Sequence, residues 1–221
     1  MNVLGFDTST AATSVCVLRA DGEAFELSPE PEALSAPPAH APQLMPRVAE
    51  AMERAGLGFG DLDAIGVGRG PGTFTGLRIG IATARALASA NSIPVRPVSS
   101  LAALAAAIDT PVRLPLIDAK RGEVFAALYE GTEERWPAFV ARPEELAAHV
   151  QAGSPTALAA GDGALRFREV LEAAGVQVAP PESQLHVVRG LHVCGLATSA
   201  EAVSPEAVLP DYIRAPDATP Q

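Results

Sequence analysis

The sequence is poor in cysteine and carries no pattern typical of a secreted or membrane protein. Its only cysteines, Cys16 and Cys194, are far apart, so neither a disulfide framework nor a C-x-x-C metal site is indicated. The lack of a disulfide framework favours a reducing compartment. The first residues have none of the basic and apolar segments of a signal peptide, and no apolar stretch is long enough to predict a membrane span. We therefore expect a cytoplasmic protein that inserts into no membrane.

Positive charge is also scarce. The 221 residues include 16 Lys and Arg against 26 Asp and Glu, which gives a formal net charge of −10. Tight binding to a nucleic acid depends mostly on Lys and Arg that neutralise phosphates, so autonomous binding to tRNA or DNA is not expected. A basic patch shared with a partner remains open. The content of 48% apolar and 19% charged residues is typical of a globular chain, long enough for one large domain or two small lobes.

The common catalytic and metal-binding motifs are missing. No two of the 4 histidines lie four residues apart on a predicted helix, and there is no H-E-x-x-H motif, so this chain is not predicted to hold a metal ion. The G-x-S-x-G motif of hydrolases is absent too, and neither cysteine has an activating neighbour in sequence. We predict no catalytic residues and no metal ligands.

The predicted elements follow the same order in both halves of the chain: three strands, a helix, a strand and a helix. Periodicity and turn residues predict strands at 2–7, 12–19, 23–28, 63–68, 94–98, 112–118, 123–129, 135–140 and 156–160. Helices are predicted at about 41–55, 76–90, 100–108, 143–151, 164–174 and 185–199. The first strand of each half ends in an aspartate, Asp7 or Asp118. This duplication predicts an α/β protein with an N-terminal lobe, 1–108, that faces a smaller lobe, 109–221, across a cleft. The smaller lobe includes the last helix and an irregular tail.

A glycine-rich run, Gly68–Gly80, follows a predicted strand and opens a helix. The start of a helix suits an anion, but the run matches neither the P-loop nor the dinucleotide fingerprint. Gly76, Gly80 and Ala84 are four residues apart and share one helix face, which indicates close packing against another element. Spacing alone leaves open whether that packing lies inside the fold or across an interface.

Three turns could face a nucleotide across the cleft. The hydroxyl-rich turn after the first strand could wrap a phosphate, and its aspartate could hold Mg²⁺ through water. A turn that only closes a hairpin explains the same residues. The turns at Asp118 and Gly161–Gly163 leave the same two interpretations. The candidate nucleotide-facing residues are Asp7, Thr8, Ser9, Thr10, Asp118, Gly161, Asp162 and Gly163.

Four segments together closely resemble the TsaB (YeaZ) family. They are GFDTST at 5–10, GPGTFTGLRIG at 70–80, DAKRGEVF at 118–125 and PDYIR at 210–214. The second is the most specific, and the four cover nearly the whole chain in order. The resemblance implies an actin-like/hexokinase-like (ASKHA) fold of two lobes, each with a mixed sheet and flanking helices.

The resemblance also implies a function. Family members are non-catalytic partners of the TsaD transferase, which makes N6-threonylcarbamoyladenosine at position 37 of tRNA with support from the ATPase TsaE. The transferase has a pair of metal-binding histidines, whereas the matching helix here has His40 and no second histidine. We expect no cofactor bound tightly by the chain alone, ATP and Mg²⁺ only at the level of the complex, tRNA contact only through the complex, and a homodimer as an option in isolation.

In the family the docking surface lies on the two helices of the N-terminal lobe, here 41–55 and 76–90. The residues expected at this interface are Leu44, Val48, Met52, Thr73, Phe74, Gly76, Leu77, Gly80 and Ala84. One alternative is a stand-alone ATPase or small-molecule kinase of the actin/hexokinase class, with Asp7, Thr8–Thr10 and Gly161–Gly163 in its cleft. A protease is a further alternative, but no nucleophile–base pair supports it.

Overall fold

The computed structural model describes residues 1–131, 133–153 and 156–213, and in them it has two mixed sheets of five strands each. The strands of the first sheet are β1 (Val3–Asp7), β2 (Ser14–Leu18), β3 (Ala24–Leu27), β4 (Ala64–Gly70) and β5 (Val95–Ser99). The strands of the second sheet are β6 (Val112–Lys120), β7 (Glu123–Glu130), β8 (Glu133–Ala141), β9 (Leu158–Ala160) and β10 (Gln177–Val178).

Both sheets have the same topology. The strand orders are β3-β2-β1-β4-β5 and, read from the other edge, β8-β7-β6-β9-β10. In each sheet the first three strands form an antiparallel meander, and the fourth strand runs parallel to the first. The duplicated, two-lobed α/β architecture predicted from the sequence is thus confirmed, as is the actin-like fold class.

Seven helices flank the sheets in the described residues. They are α1 (His40–Ala55), α2 (Phe74–Asn91), α3 (Ser100–Ala106), α4 (Pro143–Gly153), α5 (Asp162–Arg166), α6 (Arg168–Ala173) and α7 (Gly190–Ala197). The helix α1 forms because Leu44, Val48 and Met52 recur at helical spacing and are buried on one face, and it ends where Gly56 adopts a left-handed conformation at φ 66°. None of the described helices is long and apolar enough to cross a membrane.

The core is divided into layers by the first sheet. On one side of it, α1 and α2 bury apolar residues such as Phe6, Leu44 and Ile65. On the other side, α3 and α7 lie between the two sheets, and one apolar cluster joins Val3 of the first sheet to Ile117 of the second. The lobes therefore share a continuous core.

The position of α7 corrects the expectation that the last helix belongs to the second lobe. It packs on β1, β2 and β4 of the first sheet. Two glycines allow this approach, since a Cβ on Gly5 would lie 2.6 Å from the Cys194 sulfur and one on Gly190 would lie 2.7 Å from the Cys16 backbone nitrogen. Position along the chain does not report which sheet a helix covers. The helix is also shorter than predicted, because Gln184–His186 forms a separate 3-10 turn.

Two details of the second half also differ from the prediction. The helix expected at 164–174 is broken at Phe167 into α5 and α6, and the two-residue strand β10 was not predicted because it is too short to show alternation.

The end of the described chain, residues 203–213, crosses back over the first lobe, and we call it the C-terminal strap. The Val203 N–H donates to the Val95 carbonyl at 2.8 Å, and the Asp211 N–H donates to the Arg69 carbonyl at 2.8 Å. The Arg85 guanidinium of α2 donates to the carbonyls of Glu206 and Val208. The remainder of the predicted irregular tail lies outside the described residues.

Candidate functional site

The hydroxyl-rich turn after β1 is closed rather than open to a ligand. Each side chain from Asp7 to Thr10 is at most 1% exposed. The Asp7 carboxylate accepts hydrogen bonds from the Ser9 N–H at 2.7 Å, from the Ser9 hydroxyl at 2.6 Å and from the Ser100 hydroxyl at 2.7 Å. Burial raises the pKa of Asp7, and the hydrogen bonds from Ser100 and Ser9 offset this in part. Both carboxylate oxygens are thus engaged by the chain itself.

The start of α2 fills the space in front of this turn. The Thr8 hydroxyl donates to the Gly76 carbonyl at 2.8 Å. A Cβ on Gly76 would lie 2.0 Å from the Thr8 carbonyl oxygen, and one on Gly80 would lie 2.4 Å from the Thr8 hydroxyl. The small residues of α2 therefore allow a close internal approach of helix and turn. This differs from the expected arrangement, in which Thr8, Ser9 and Thr10 face a nucleotide.

Most of the residues expected at a partner interface lie in the core of this chain. The buried ones are Leu44, Val48, Met52, Gly76, Leu77, Gly80 and Ala84. This part of the interface prediction was wrong. A stripe of apolar or small residues predicts that one face of a helix is buried, but it does not predict which element covers that face. Thr73 is half-buried, and Phe74 is 56% exposed.

An exposed aromatic stack lies at the start of α2. The rings of Phe74 and Tyr212 have centroids 5.8 Å apart with an interplanar angle of 25°, and Tyr212 is brought there by the C-terminal strap. The Arg78 guanidinium lies 3.6 Å from the Phe74 ring centroid, and its Nε–H donates to the Tyr212 hydroxyl at 3.3 Å. Cation–π and stacking contacts hold these groups together at the surface.

A cavity of about 670 Å³ opens beside this stack, between the first turns of α1 and α2 and the β6–β7 turn. Its walls are mostly apolar and include Pro42, Phe74, Ile79, Phe125, Tyr212 and Ile213. The charged or titratable side chains of His40, Asp118, Lys120 and Asp211 also line it. Sequence reasoning missed this cavity, because its walls come from four separate stretches of the chain.

His40 is the buried polar group of the cavity. It is 3% exposed, and its Nδ1 lies 2.8 Å from the Thr13 hydroxyl. Burial lowers its pKa, while the Asp7 charge and then the Thr10 carbonyl raise it in part, so the ring is neutral near pH 7. In the described part of the chain, Nε2 has no hydrogen-bond partner.

Asp118 lies at the rim of the cavity, and its carboxylate is paired with two cationic side chains. Its Oδ2 accepts from the Lys120 ammonium at 2.8 Å and from the Arg166 guanidinium at 3.0 Å. Its backbone N–H donates to the Asp162 carboxylate at 3.0 Å. The pKa of Asp162 is raised to about 6, chiefly by burial, since the hydrogen bond from the Asp118 N–H offsets the effect only in part.

Asp118 and Asp162 also line a smaller cavity of about 440 Å³ in the cleft between the lobes. The two glycines expected beside them, Gly161 and Gly163, are buried instead, and a Cβ on Gly161 would lie 1.9 Å from the Leu116 carbonyl oxygen. Only two of the eight residues expected to face a nucleotide therefore border an open cavity. Among the described residues, no group of three His, Cys, Asp or Glu could hold a metal ion.

Lys120 was quoted in the turn after Asp118 but not predicted as a site residue. It is the only lysine in the chain, which otherwise uses arginine for positive charge. Its backbone is left-handed, at φ 62°, where β6 has an irregularity in its pairing with β7. That Lys120 is the only lysine among 16 Lys and Arg residues is the sequence feature that could have indicated this position.

Comparisons with known proteins found similarity to a family model, to curated relatives and to solved structures. A family model described as TsaD, tRNA N6-adenosine threonylcarbamoyltransferase, matches residues 31–204. An uncharacterized protein of Mycobacterium leprae is 36% identical over 99% of this chain, which spans 56% of that protein. The tRNA threonylcarbamoyladenosine biosynthesis protein TsaB of Escherichia coli is 30% identical, with 97% of this chain and 95% of that protein covered. The solved structure of YeaZ from Pseudomonas aeruginosa has a TM-score of 0.79 at 31% identity, with 96% of this chain and 99% of that one covered.

Proposed function

The chain belongs to the TsaB (YeaZ) family, and from this premise we propose that it takes part in tRNA threonylcarbamoyladenosine biosynthesis as the non-catalytic partner of a TsaD-like transferase. The observation that carries the proposal is the end-to-end match to a protein named for that process. A TsaE-like ATPase completes the system, and tRNA is contacted through the complex. The formal net charge of −10 supports an arrangement in which the partners, rather than this chain, make the contacts with the tRNA phosphates.

The geometry of the first turn supports a non-catalytic role. The alternative, an ATPase or kinase of the actin/hexokinase class, requires Asp7 to line an open nucleotide cleft. Here Asp7 accepts three hydrogen bonds from its own chain, and Gly76 lies directly against Thr8. No observation favours the ATPase or kinase alternative, and tight stoichiometric binding of Mg·ATP that is lost in Asp7→Ala would be evidence for it.

We assign the docking surface to the outer side of α1 and α2 rather than to their buried stripes. Three large apolar side chains are exposed on α1, on α2 and on the strap residue that stacks on α2: Met45 at 42%, Phe74 at 56% and Tyr212 at 44%. Exposed apolar side chains are typical of interfaces when they form a patch, and aromatic residues are enriched at interface centres. We call these three residues the docking face. In isolation a second copy of the chain uses the same face.

The test is reconstitution with the TsaD-like and TsaE-like subunits of the same organism. In the presence of tRNA, ATP and an activated threonylcarbamoyl donor, the chain alone should leave tRNA unmodified, and addition of the chain to the two other subunits should yield threonylcarbamoyladenosine. Product formed by the isolated chain would contradict the non-catalytic role, and an unchanged yield without the chain would contradict its participation.

The docking face is tested by Met45→Glu and Phe74→Glu, which place a charge among apolar side chains. Both variants should fold, since these residues are exposed, but should fail to form the complex in size-exclusion chromatography. Ala148→Glu adds the same charge to an exposed position of α4 and should leave the complex intact. A complex that survives both substitutions would mean that the surface is elsewhere.

A further inference from the structure

An exposed cation, Arg78, is in contact with two of the three residues of the docking face, Phe74 and Tyr212. On the basis of the proposed function, we propose that the docking face fits a partner surface that presents a carboxylate among apolar side chains, and that this carboxylate pairs with Arg78. The transferase subunit supplies that surface, and a second copy of this chain does not.

The first step concerns how Arg78 is held. Its guanidinium lies 3.6 Å from the centroid of the Phe74 ring, and its Nε–H donates to the Tyr212 hydroxyl at 3.3 Å. These contacts use one face of the planar group and one edge, so the N–H groups of both Nη atoms point to other acceptors. A guanidinium that is already fixed on an aromatic ring loses little freedom when it binds, and arginine is enriched among the residues that contribute most to interfaces.

The second step concerns the carboxylates of this chain. Within the part of the chain that the structure describes, Arg78 forms no ion pair with Asp or Glu. The helix α2 contains two arginines, Arg78 and Arg85, and no acidic residue. The acidic residue of the strap beside Tyr212 is Asp211, and its Oδ2 lies 3.9 Å from the Arg69 guanidinium. An ion pair for Arg78 must therefore come from outside the described chain.

The third step counts the charges around the docking face. Arg69 and α2 contribute three positive charges, and the strap contributes two negative ones, Glu206 and Asp211. The neighbouring charges cancel, both on α1 and between the β6–β7 turn and α5: Arg47 and Arg54 against Glu50 and Glu53, and Lys120 and Arg166 against Asp118 and Asp162. One positive charge is left on this side of a chain whose formal net charge is −10. The surface is complementary to a partner with one carboxylate.

The fourth step concerns the loss of water. The row of Arg78 on α2 continues with exposed alanines, Ala82 and Ala86, so the surface around the guanidinium is mostly apolar. A partner that covers this surface removes Arg78 from water, and a cation without water is costly unless an opposite charge pairs with it. A carboxylate matches the planar guanidinium with two parallel hydrogen bonds.

The fifth step distinguishes the transferase from a second copy. A two-fold contact places the same surface on both sides, so each Arg78 then faces the docking face of the other copy. The only carboxylate beside that face is Asp211, which already lies next to Arg69 of its own chain. Self-association therefore leaves two guanidinium groups without full compensation, and it should be weaker than binding to a partner that supplies the carboxylate.

Arg78→Gln tests the pair, with the affinity for the transferase subunit measured by calorimetry. The variant should fold, because Arg78 is exposed, and should bind at least about tenfold more weakly at low salt. A rise from about 50 to about 500 mM NaCl should weaken the original complex several-fold and the variant complex much less, since salt screens the lost pair. Arg135→Gln removes an exposed arginine from β8 and should keep the original affinity and salt response.

Tyr212→Phe tests how Arg78 is positioned, because it removes the hydroxyl and keeps the stacked ring. It should weaken the complex about threefold in the original chain and add nothing to Arg78→Gln, since the hydroxyl acts through Arg78. Absence of any complex with the original chain would overturn the proposed function and this pair with it. A normal complex that Arg78→Gln leaves equally tight would overturn the pair alone. A homodimer that Arg78→Gln weakens as much as the complex would overturn the assignment of the carboxylate to the transferase.

Discussion

The hydroxyl of Thr8 donates a hydrogen bond of 2.8 Å to the carbonyl of Gly76, across a sequence separation of 68 residues. This bond joins the β1–β2 turn to the first turn of α2. Around it, Gly72, Gly76 and Gly80 have no side chain that would hold the turn and the helix apart. The glycines of this run therefore allow the helix and the turn to pack closely within the chain. The exposed residue beside them, Phe74, remains available to a partner.

A methyl group at Gly76 should destabilise the whole protein. In Gly76→Ala the new Cβ would lie 2.0 Å from the Thr8 carbonyl oxygen, so the helix and the turn must separate. We expect a loss of about 3 kcal/mol in the free energy of unfolding, as in other overpacked cores. Urea denaturation measures it.

Gly195→Ala is the matched control for that substitution. Gly195 lies in α7, and a Cβ there would meet no atom within 4 Å, so the gain in helix propensity should raise stability by about 0.5–1 kcal/mol. Equal stability of the two variants would contradict a special role for the contact between Gly76 and Thr8.

Two parts of the site show how far the sequence could predict it. The spacing of Leu44, Val48 and Met52 predicted α1 correctly, but the same residues were wrongly placed at an interface. Periodicity predicts that one face of a helix is buried, but not whether that face packs inside the chain or against a partner. The turn at Asp7 has the composition of a phosphate-binding turn. Its carboxylate is nevertheless engaged by Ser100, 93 residues away, and no local pattern contains that contact.

The contribution of Asp162 to the stability of the folded protein should fall as the pH rises from about 4 to 6. Its pKa is raised from 3.8 to about 6, so the protonated form is favoured in the native state, and its contribution is complete below the unfolded pKa and lost as the pH passes the folded one. A shift of about two pKa units corresponds to at most about 3 kcal/mol, and we expect about 1 kcal/mol because Asp162 is only half-buried and borders an open cavity.

Asp162→Asn isolates that contribution. The amide oxygen can still accept from the Asp118 N–H, so the difference in unfolding free energy between the variant and the original chain should change by about 1 kcal/mol between pH 4 and 7 and stay constant above it. A difference that does not vary with pH would contradict a raised pKa at Asp162.

Arg96 should stabilise the end of α7. Its guanidinium donates to the carbonyls of Ala197, Thr198 and Ala200 at 3.1, 3.0 and 2.9 Å, which are the last residue of the helix, its C-cap and a residue just beyond it. Arg96→Met should lower the free energy of unfolding by about 2 kcal/mol, because charged hydrogen bonds to helix-end carbonyls are lost.

Arg135→Met serves as its control. Arg135 also makes two polar contacts, with Glu130 and Glu133, but all three side chains are exposed. Exposed ion pairs contribute little, so the denaturation midpoint should not move. A comparable loss in both variants would mean that removal of any arginine, rather than the cap on α7, reduces stability.

Arg85 should hold the C-terminal strap on α2. Its guanidinium donates to two strap carbonyls, those of Glu206 and Val208, and Val208 is buried in the first core. In Arg85→Met we expect faster amide hydrogen exchange over residues 203–211 and unchanged exchange in β6 and β7, because the loss is local. Uniform acceleration over the whole chain would instead indicate global destabilisation.

The crossing of α7 and the C-terminal strap back to the first sheet has a consequence for synthesis on the ribosome. All five strands of that sheet have been made once Ser99 has been added, yet the helix that covers β1, β2 and β4 begins only at Gly190. During translation the face of the first sheet that α7 covers therefore stays exposed until α7 has been made, although N-terminal domains generally fold first. Its final packing must follow the synthesis of nearly the whole chain, so the two lobes mature together rather than in turn.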